Sequence, residues 1–134
     1  MSDPESRKPL ALIVEDNQVN RMVATQMLRR GGIDAIEANG AAEAIVTLQA
    51  KEVDVILMDV QMPGMDGLEA AREIRRGRAG AAAQETPIIA MTAYASKEDE
   101  SACYDAGMNA YLSKPLNMQA FIETVQRTIQ ETAQ

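Results

Sequence analysis

Short apolar runs alternate along the chain with segments in which apolar residues recur at helical spacing. A run of about five apolar residues that is bounded by turn residues predicts a buried β-strand. The predicted strands of this kind cover residues 10–14 (LALIV), 53–58 (VDVILM), 87–91 (PIIAM) and 110–113 (AYLS), and the alternating segment 33–38 (IDAIEA) predicts one more. A segment with helical character follows each of them, so strand and helix alternate throughout the chain.

Apolar positions three or four residues apart mark the faces of four predicted helices. These positions are Val19, Met22, Val23 and Met27; Ala41, Ala44, Ile45 and Leu48; Leu68, Ala71 and Ile74; and Met118, Phe121, Ile122, Val125 and Ile129. Residues 96–107 form a further, polar helix between the last two, which we expect to pack shallowly. Gly31 and Gly107 are expected to end the helices before them, and Asp66 with Glu69 predicts a capping box.

This alternation predicts a doubly wound α/β domain in which parallel strands form one sheet and helices cover both of its faces. We expect residues 1–8 (MSDPESRK) to be a disordered leader and residues 9–134 to form a single domain. Ligands of such folds bind beyond the carboxyl ends of the strands. The residues at the predicted strand ends are therefore interpreted together.

Composition narrows the class of protein. The 134 residues have a net charge of −7, which argues against nucleic acid or an anionic membrane surface as the main ligand. The chain has no histidine, so histidine-based catalysis and histidine metal ligands are excluded. The single cysteine, Cys103, cannot form an internal disulfide, and no apolar run is long enough for a signal peptide or a membrane span. We expect a soluble cytoplasmic domain in which Cys103 is partly buried.

Polar residues follow four of the predicted strands. They are Glu15, Asp16 and Asn17 after the first, Asp59 after the third, Thr92 after the fourth and Lys114 after the fifth. Taken singly, Asp16 or Asn17 could be a helix N-cap, and Thr92 and Lys114 fit a strand end and a solvated turn. Asp59 has no such simple explanation, because nothing in the following QMPGMDG makes it a cap.

Taken together, these residues predict a phosphoryl-transfer site. Glu15, Asp16 and Asp59 would meet at one edge of the sheet, where crowded carboxylates repel each other unless a cation is present. Carboxylate and carbonyl oxygens suit a hard divalent ion, Mg²⁺ before Ca²⁺. A lysine ammonium and a threonine hydroxyl opposite them would suit phosphoryl oxygens. The combination is typical of a site with a carboxylate nucleophile.

Four stretches in this order resemble the receiver domain of two-component response regulators. They are LIVEDNQVN (12–20), ILMDVQMPGMDG (56–67), IIAMTAYA (88–95) and YLSKPL (111–116). The resemblance extends over nearly the whole chain, and the sequences of these stretches are most similar to those of receivers attached to hybrid sensor histidine kinases. It implies a flavodoxin-like strand order, 2-1-3-4-5.

The resemblance also implies roles for individual residues. Asp59 would accept the phosphoryl group. Asp16, Asp59 and the backbone carbonyl of Gln61 would bind Mg²⁺ directly, and Glu15 would act through a coordinated water. Lys114 would pair with the phosphoryl charge.

The remaining residues that the resemblance brings to the site are associated with the conformational switch or flank it. Thr92 would hydrogen-bond the phosphoryl group after its arrival, and Tyr111 would move between outward and inward rotamers. The peptide between Lys114 and Pro115 would be cis. Ala93 and Tyr94 directly follow the switch threonine.

By this resemblance the domain would be a signalling switch that catalyses only its own phosphorylation and dephosphorylation. The donor would be a phosphohistidine on a histidine kinase or a histidine phosphotransfer protein. The face formed by the fourth helix, fifth strand and fifth helix would contact a downstream protein. Phosphorylation would bias an equilibrium between two existing conformations.

Three other functions were weighed against this one. A phosphatase with an aspartate nucleophile would need a second acid at position 61, where this chain has Gln61. A flavin-binding module would need a phosphate loop after the first strand, but EDNQVN is acidic there. A receiver-like module could bind partners without being phosphorylated. The complete set of acids, Thr92 and Lys114 argues against this alternative.

The residues beyond the phosphoacceptor also suggest a long-lived aspartyl phosphate. The ring of Tyr94 could shield the phosphoryl group from the attacking water. Gln61 could instead place that water by hydrogen bonding, which would shorten the lifetime. Tyr94 could also simply lie on the surface beside the fourth helix.

Overall fold

One parallel sheet forms the centre of the protein. The structure is a computed structural model and describes residues 8–62, 64–93 and 96–133. The strands are β1 (Leu10–Val14), β2 (Asp34–Ala38), β3 (Val55–Asp59), β4 (Ile88–Thr92) and β5 (Ala110–Ser113). The helices are α1 (Gln18–Arg30), α2 (Ala41–Ala50), α3 (Gly67–Arg75), α4 (Lys97–Asp105) and α5 (Met118–Ala133). The strand order is β2-β1-β3-β4-β5 and all pairs are parallel, which confirms the predicted fold.

Two predicted strands end one residue too early. Asp59 and Thr92 were expected to follow β3 and β4, but each is the last residue of its strand. The ladder extends to them because Asp59 pairs with Met91 and Thr92 pairs with Ser113. Both side chains are consequently held by the sheet itself rather than by a loop.

The central strands β1, β3 and β4 are buried on both faces of the sheet, which explains why they are nearly continuous apolar runs, whereas the edge strand β2 exposes Asp34 and Glu37. Alternate residues point to opposite faces, so Leu12 of β1 packs in the layer beneath α2, α3 and α4, and Ile13 packs in the layer beneath α1 and α5. Phe121 of α5 is fully buried in this second layer. The aliphatic core therefore needs only one large aromatic side chain.

The apolar stripe predicted for α1 marks the helix but not its buried face. The buried residues of α1 are Ala24, Thr25 and Leu28. Met22 and Val23 are 50% and 39% exposed, and Val19 is 61% exposed. The stripe was misleading because a small alanine and a threonine face the core, where α1 lies against α5 and β2.

Side chains and glycines define the helix ends, as the sequence predicted for Asp66 and Gly107 but not for Ser96. The side-chain oxygens of Asn17, Asp66 and Ser96 accept hydrogen bonds from the backbone of the first turns of α1, α3 and α4. Gly107 follows α4 with a φ of +99°, a left-handed conformation that favours glycine. Asn17, and not Asp16, is therefore the N-cap of α1.

The polar helix α4 packs shallowly, as expected. Cys103 is its one buried residue within the described part of the chain, while Tyr104 is 46% exposed. Burial raises the pKa of the Cys103 thiol, and Asp99 and Glu100 act in the same direction. Cys103 is thus a small core residue that stays protonated.

No helix in the described ranges combines the length and the apolar character that a bilayer crossing requires. Of the expected leader, Lys8 alone belongs to the described residues, where it is exposed.

Candidate phosphorylation site

Three carboxylates meet at the carboxyl ends of β1 and β3. One oxygen from each of Glu15, Asp16 and Asp59 lies within 4.8 Å of the others. Glu15 and Asp59 are only 2% and 3% exposed, whereas Asp16 is open to solvent. The predicted acidic cluster is therefore present, with two members inside the protein and one at its mouth.

Lys114 reaches this cluster from the end of β5. Its Nζ lies 2.9 Å from Glu15 Oε1 and 3.3 Å from Asp59 Oδ1. Burial alone would lower the pKa of Lys114, but the hydrogen bond to Glu15 and the charge of Asp59 outweigh burial, so the pKa is raised. The side chain is therefore a cation that partly neutralises the two buried carboxylates.

The backbone helps to fix the directions of Glu15 and Asp59. The Glu15 amide donates to Ala38 O at 3.1 Å, which continues the pairing of β1 with β2. The Gln61 amide donates to Asp59 Oδ1 at 3.1 Å, so the loop after β3 folds back over its own carboxylate. The acids are thus directed by hydrogen bonds that do not depend on a ligand.

Gly67 allows α3 to begin directly against the end of β3. A Cβ atom at this position would meet Asp59 O closely and would lie 2.8 Å from Val60 Cα. Gly67 does not have a positive φ, so its role is not to adopt a left-handed conformation. The glycine is needed because the backbone that holds Asp59 passes too close for any side chain.

The donor set fits a hard divalent cation. Three carboxylates within 4.8 Å of one another face the single ammonium of Lys114, so the site has an excess of negative charge. Oxygen-only ligands of this kind suit Mg²⁺ or Ca²⁺ and not the softer metals. Asp16, Asp59 and Glu15 are the residues that could hold such an ion.

The model of the response regulator receiver domain family matches residues 11–126. The chain belongs to this family. Receiver domains are signalling switches of two-component systems, where they interact with histidine kinases or phosphotransfer proteins, and they are not usually classed as enzymes. The resemblance stated from the sequence is confirmed.

Similar proteins include both kinase-attached and separate receivers. The chain is 38% identical, over 92% of its length, to "Probable histidine kinase 1" of Oryza sativa subsp. indica, and covers 16% of that protein. It is 34% identical, over 85% of its length, to "Polar-differentiation response regulator DivK" of Brucella ovis, and covers 90% of it. It spans only 8% to 16% of the length of five histidine kinases that it matches.

A solved receiver resembles this one in structure as well as in sequence. It is the receiver domain of a sensor histidine kinase from Pseudomonas aeruginosa PAO1, with a magnesium ion coordinated in its active site cleft. The TM-score is 0.82 and the identity 38%, and the match covers 92% of this chain and 99% of that one.

Thr92, Ala93 and Pro115 lie around the same sheet edge. The side chain of Thr92 is buried at the end of β4, and its carbonyl accepts from the Lys114 amide at 2.8 Å. The peptide between Lys114 and Pro115 is cis, as predicted. Ala93 is exposed directly beyond Thr92, whereas Tyr94 lies outside the described residues and its shielding role stays a prediction.

Tyr111 is half-buried in β5, where it is paired with Ala90 of β4. Burial raises the pKa of its hydroxyl, and Glu100, Cys103 and Asp99 act in the same direction. The hydroxyl is therefore neutral at physiological pH, and movement of the ring need not move a charge.

Sequence reasoning missed two features beside the acids. Arg21 of α1 donates from Nη1 to Glu15 O at 2.8 Å. In the sequence, the one signal for this contact is that Arg21 comes four residues after Asn17. A cavity of about 190 Å³ opens next to Lys114 and is lined by Glu15, Asn20, Val23, Met91, Lys114, Pro115 and Leu116. Its lining joins α1 to the β5–α5 loop, a proximity that only the folded chain reveals.

Proposed function

We propose that this receiver accepts a phosphoryl group from a partner's phosphohistidine onto Asp59, with Mg²⁺ as cofactor. The observation that supports this most is the position of Asp59, a buried carboxylate at a strand end, 3.3 Å from a lysine cation and next to two further acids. An acid that only stabilised the fold would not need two like-charged neighbours.

In the transfer, an Asp59 carboxylate oxygen attacks the phosphorus atom of the phosphohistidine. A P–O bond forms while the P–N bond breaks, and its electron pair returns to the imidazole nitrogen. The Lys114 ammonium moves from the carboxylates to the phosphoryl oxygens and neutralises charge on them. Asp16, Asp59 and the carbonyl of Gln61 would hold Mg²⁺, and Glu15 would act through a water. When bound, Mg²⁺ supplies further positive charge to the same oxygens.

The aspartyl phosphate is later hydrolysed, which resets the switch. Water replaces Asp59 at phosphorus, inorganic phosphate leaves and the carboxylate is restored. While it lasts, the group adds up to about two negative charges and strong acceptor oxygens. The Thr92 hydroxyl turns toward them, and Tyr111 fills the space that it leaves. Shallow packing of α4 allows this helix to follow at low cost in free energy.

The biological setting follows from the same proposal. The receiver domain spans residues 9–134 and functions in the cytoplasm, where a histidine kinase or a histidine phosphotransfer protein is the donor. Similarity to hybrid kinases supports a place in a phosphorelay. The α4–β5–α5 face, with Tyr104 and Met118 exposed, contacts the downstream protein.

Labelling with acetyl phosphate tests this function. Wild type, Asp59→Asn and Asp66→Asn are incubated with the donor, with Mg²⁺ or with a chelator, and analysed by intact mass. Asp66→Asn is the matched control, because Asn is as good an N-cap as Asp. We expect one phosphoryl group on wild type and on the control, and none on Asp59→Asn or without Mg²⁺. Equal incorporation in Asp59→Asn would exclude Asp59 as the acceptor. No incorporation in wild type would leave a phosphorylation-independent module as the alternative.

A further inference from the structure

Arg21 binds the peptide that joins the two acids of the β1–α1 loop. Its Nη1 donates to Glu15 O at 2.8 Å, and this carbonyl belongs to the peptide bond between Glu15 and Asp16. Its Nε donates to Glu37 Oε1 at 3.0 Å, on the neighbouring strand β2. The arginine side chain is 17% exposed, so the contact lies largely under the surface.

The Glu15–Asp16 peptide determines where both acids point. The Glu15 side chain points inward to Lys114, and the Asp16 side chain lies at the solvent-exposed side of the cluster. The amide of Glu15 is fixed by Ala38 O, and the amide of the cap residue Asn17 donates to Glu15 Oε2 at 3.4 Å. The Glu15–Asp16 peptide lies between these two fixed amides. A donor on its oxygen fixes the rotation of this peptide and, with it, the direction of Asp16.

An arginine suits this task better than another cation would. Its planar guanidinium donates in two fixed directions, and here one direction is used for the Glu15 carbonyl and another for Glu37. Glu37 thereby holds the guanidinium in place from β2. A lysine has one donor atom and cannot keep both contacts in this geometry.

We propose that Arg21 is a positioning residue for divalent-cation binding, which acts by holding the Glu15–Asp16 peptide in the orientation that directs Asp16 toward Asp59. This inference rests on the proposed Mg²⁺ site and adds a residue that touches neither the metal nor the phosphoryl group. Loss of a hydrogen bond that orients a metal ligand typically lowers metal affinity by about 10- to 100-fold.

Calorimetric Mg²⁺ titration of Arg21→Met tests the proposal, together with thermal melts in the absence of metal. Arg30→Met is the matched control, because Arg30 is an exposed arginine at the far end of the same helix. We expect a loss of affinity of about tenfold or more for Arg21→Met and less than about twofold for Arg30→Met. Titration well below the melting temperature separates positioning from stability, since a purely structural arginine would lower the melting temperature only.

Two further variants sharpen the result. Glu37→Gln keeps the hydrogen bond from Arg21 to Glu15 O but replaces the ion pair between Arg21 and residue 37 with a weaker hydrogen bond. We therefore expect a smaller loss of Mg²⁺ affinity than in Arg21→Met. Arg21→Lys keeps the positive charge and replaces Arg21→Met in the titration if that variant does not fold. We expect Arg21→Lys also to bind Mg²⁺ less tightly than wild type. Unchanged affinity in the folded Arg21 variant would overturn the proposal. A wild type that binds no Mg²⁺ would instead contradict the proposed function itself.

Discussion

Gly67 shows how one missing side chain positions the phosphoacceptor. The first turn of α3 lies against the backbone of Asp59 and Val60, and a Cβ atom at Gly67 would be 3.0 Å from the Asp59 carbonyl carbon. Backbone of a central strand cannot yield without moving the residues paired with it, here Met91. The constraint on Gly67 is therefore steric and local to the site.

We predict that Gly67→Ala both destabilises the protein and slows its phosphorylation. Overpacking of this kind costs about 1–3 kcal/mol, because α3 or the end of β3 must shift. The measurements are a urea unfolding curve and the rate of phosphoryl incorporation from acetyl phosphate. Gly40→Ala is the control, since a Cβ atom there meets nothing within 4 Å and φ is extended at 176°. Equal stability and equal rates for the two variants would contradict the steric account.

At the scale of elements, Arg75 joins three segments at the edge of the α4 region. From the end of α3 it donates to Gly107 O at 2.9 Å, to Gln84 O at 2.9 Å and to Thr86 O at 2.7 Å. It also donates to Asn109 Oδ1 at 2.8 Å. The loop before β4 and the turn before β5 are thus held by one side chain. Burial lowers the pKa of Arg75, and Glu85 opposes this effect.

We predict that Arg75→Met lowers the free energy of unfolding by about 2–4 kcal/mol, because several backbone carbonyls lose their charged donor at once. Arg72→Met, at an exposed position in the same last turn, should change it by less than about 0.5 kcal/mol. Chemical denaturation of both variants provides the comparison. A loss in Arg75→Met no larger than in Arg72→Met would mean that the network does not stabilise the fold.

Helix α1 presents apolar side chains to solvent beside the acids. Val19, Met22 and Val23 are exposed, and Val23 lines the cavity next to Lys114. We predict that a protein donor of phosphoryl groups contacts this surface. Met22→Asp should therefore reduce the rate of transfer from a phosphorylated histidine phosphotransfer protein by about tenfold or more, as for a central interface residue.

The same variant should react normally with acetyl phosphate, which needs no docking surface. Val46→Asp is the matched control, because Val46 is 64% exposed on α2. The measurement is the ratio of the two rates, protein donor over acetyl phosphate, in each variant. A ratio that falls equally in both variants, or in neither, would show that α1 is not the donor surface.

At the scale of the whole molecule, the sequence was sufficient to predict the fold. The apolar runs of β1, β3 and β4 are nearly unbroken because these strands are covered on both faces, and this pattern indicates a layered α/β arrangement. The strand-end rule then brought Glu15, Asp59 and Lys114 together before any distance was known. Periodicity failed for α1, because its core contacts are Ala24 and Thr25, which a hydrophobic pattern does not register strongly.

Contacts across the fold account for the rest of what the sequence could not predict. Arg21 and Glu37 are 16 residues apart and meet only when β2 lies beside β1. Arg75 and Asn109 are 34 residues apart and meet only when α4 has been placed. A local pattern contains no information about such pairs, since each residue alone is an ordinary surface charge or amide.

The central claim is that Asp59 is the residue that becomes phosphorylated. Borohydride trapping locates an aspartyl phosphate directly, because hydride reduces the acyl phosphate to an alcohol and converts that residue to homoserine. Wild-type protein treated with acetyl phosphate and Mg²⁺ is reduced, digested and sequenced by tandem mass spectrometry. Protein treated in the same way without the donor is the control.

We expect homoserine at position 59 in the treated protein and at no position in the control. We also expect a chelator to abolish the conversion. Homoserine at Asp16, Asp66 or another acid, with Asp59 unmodified, would contradict the account.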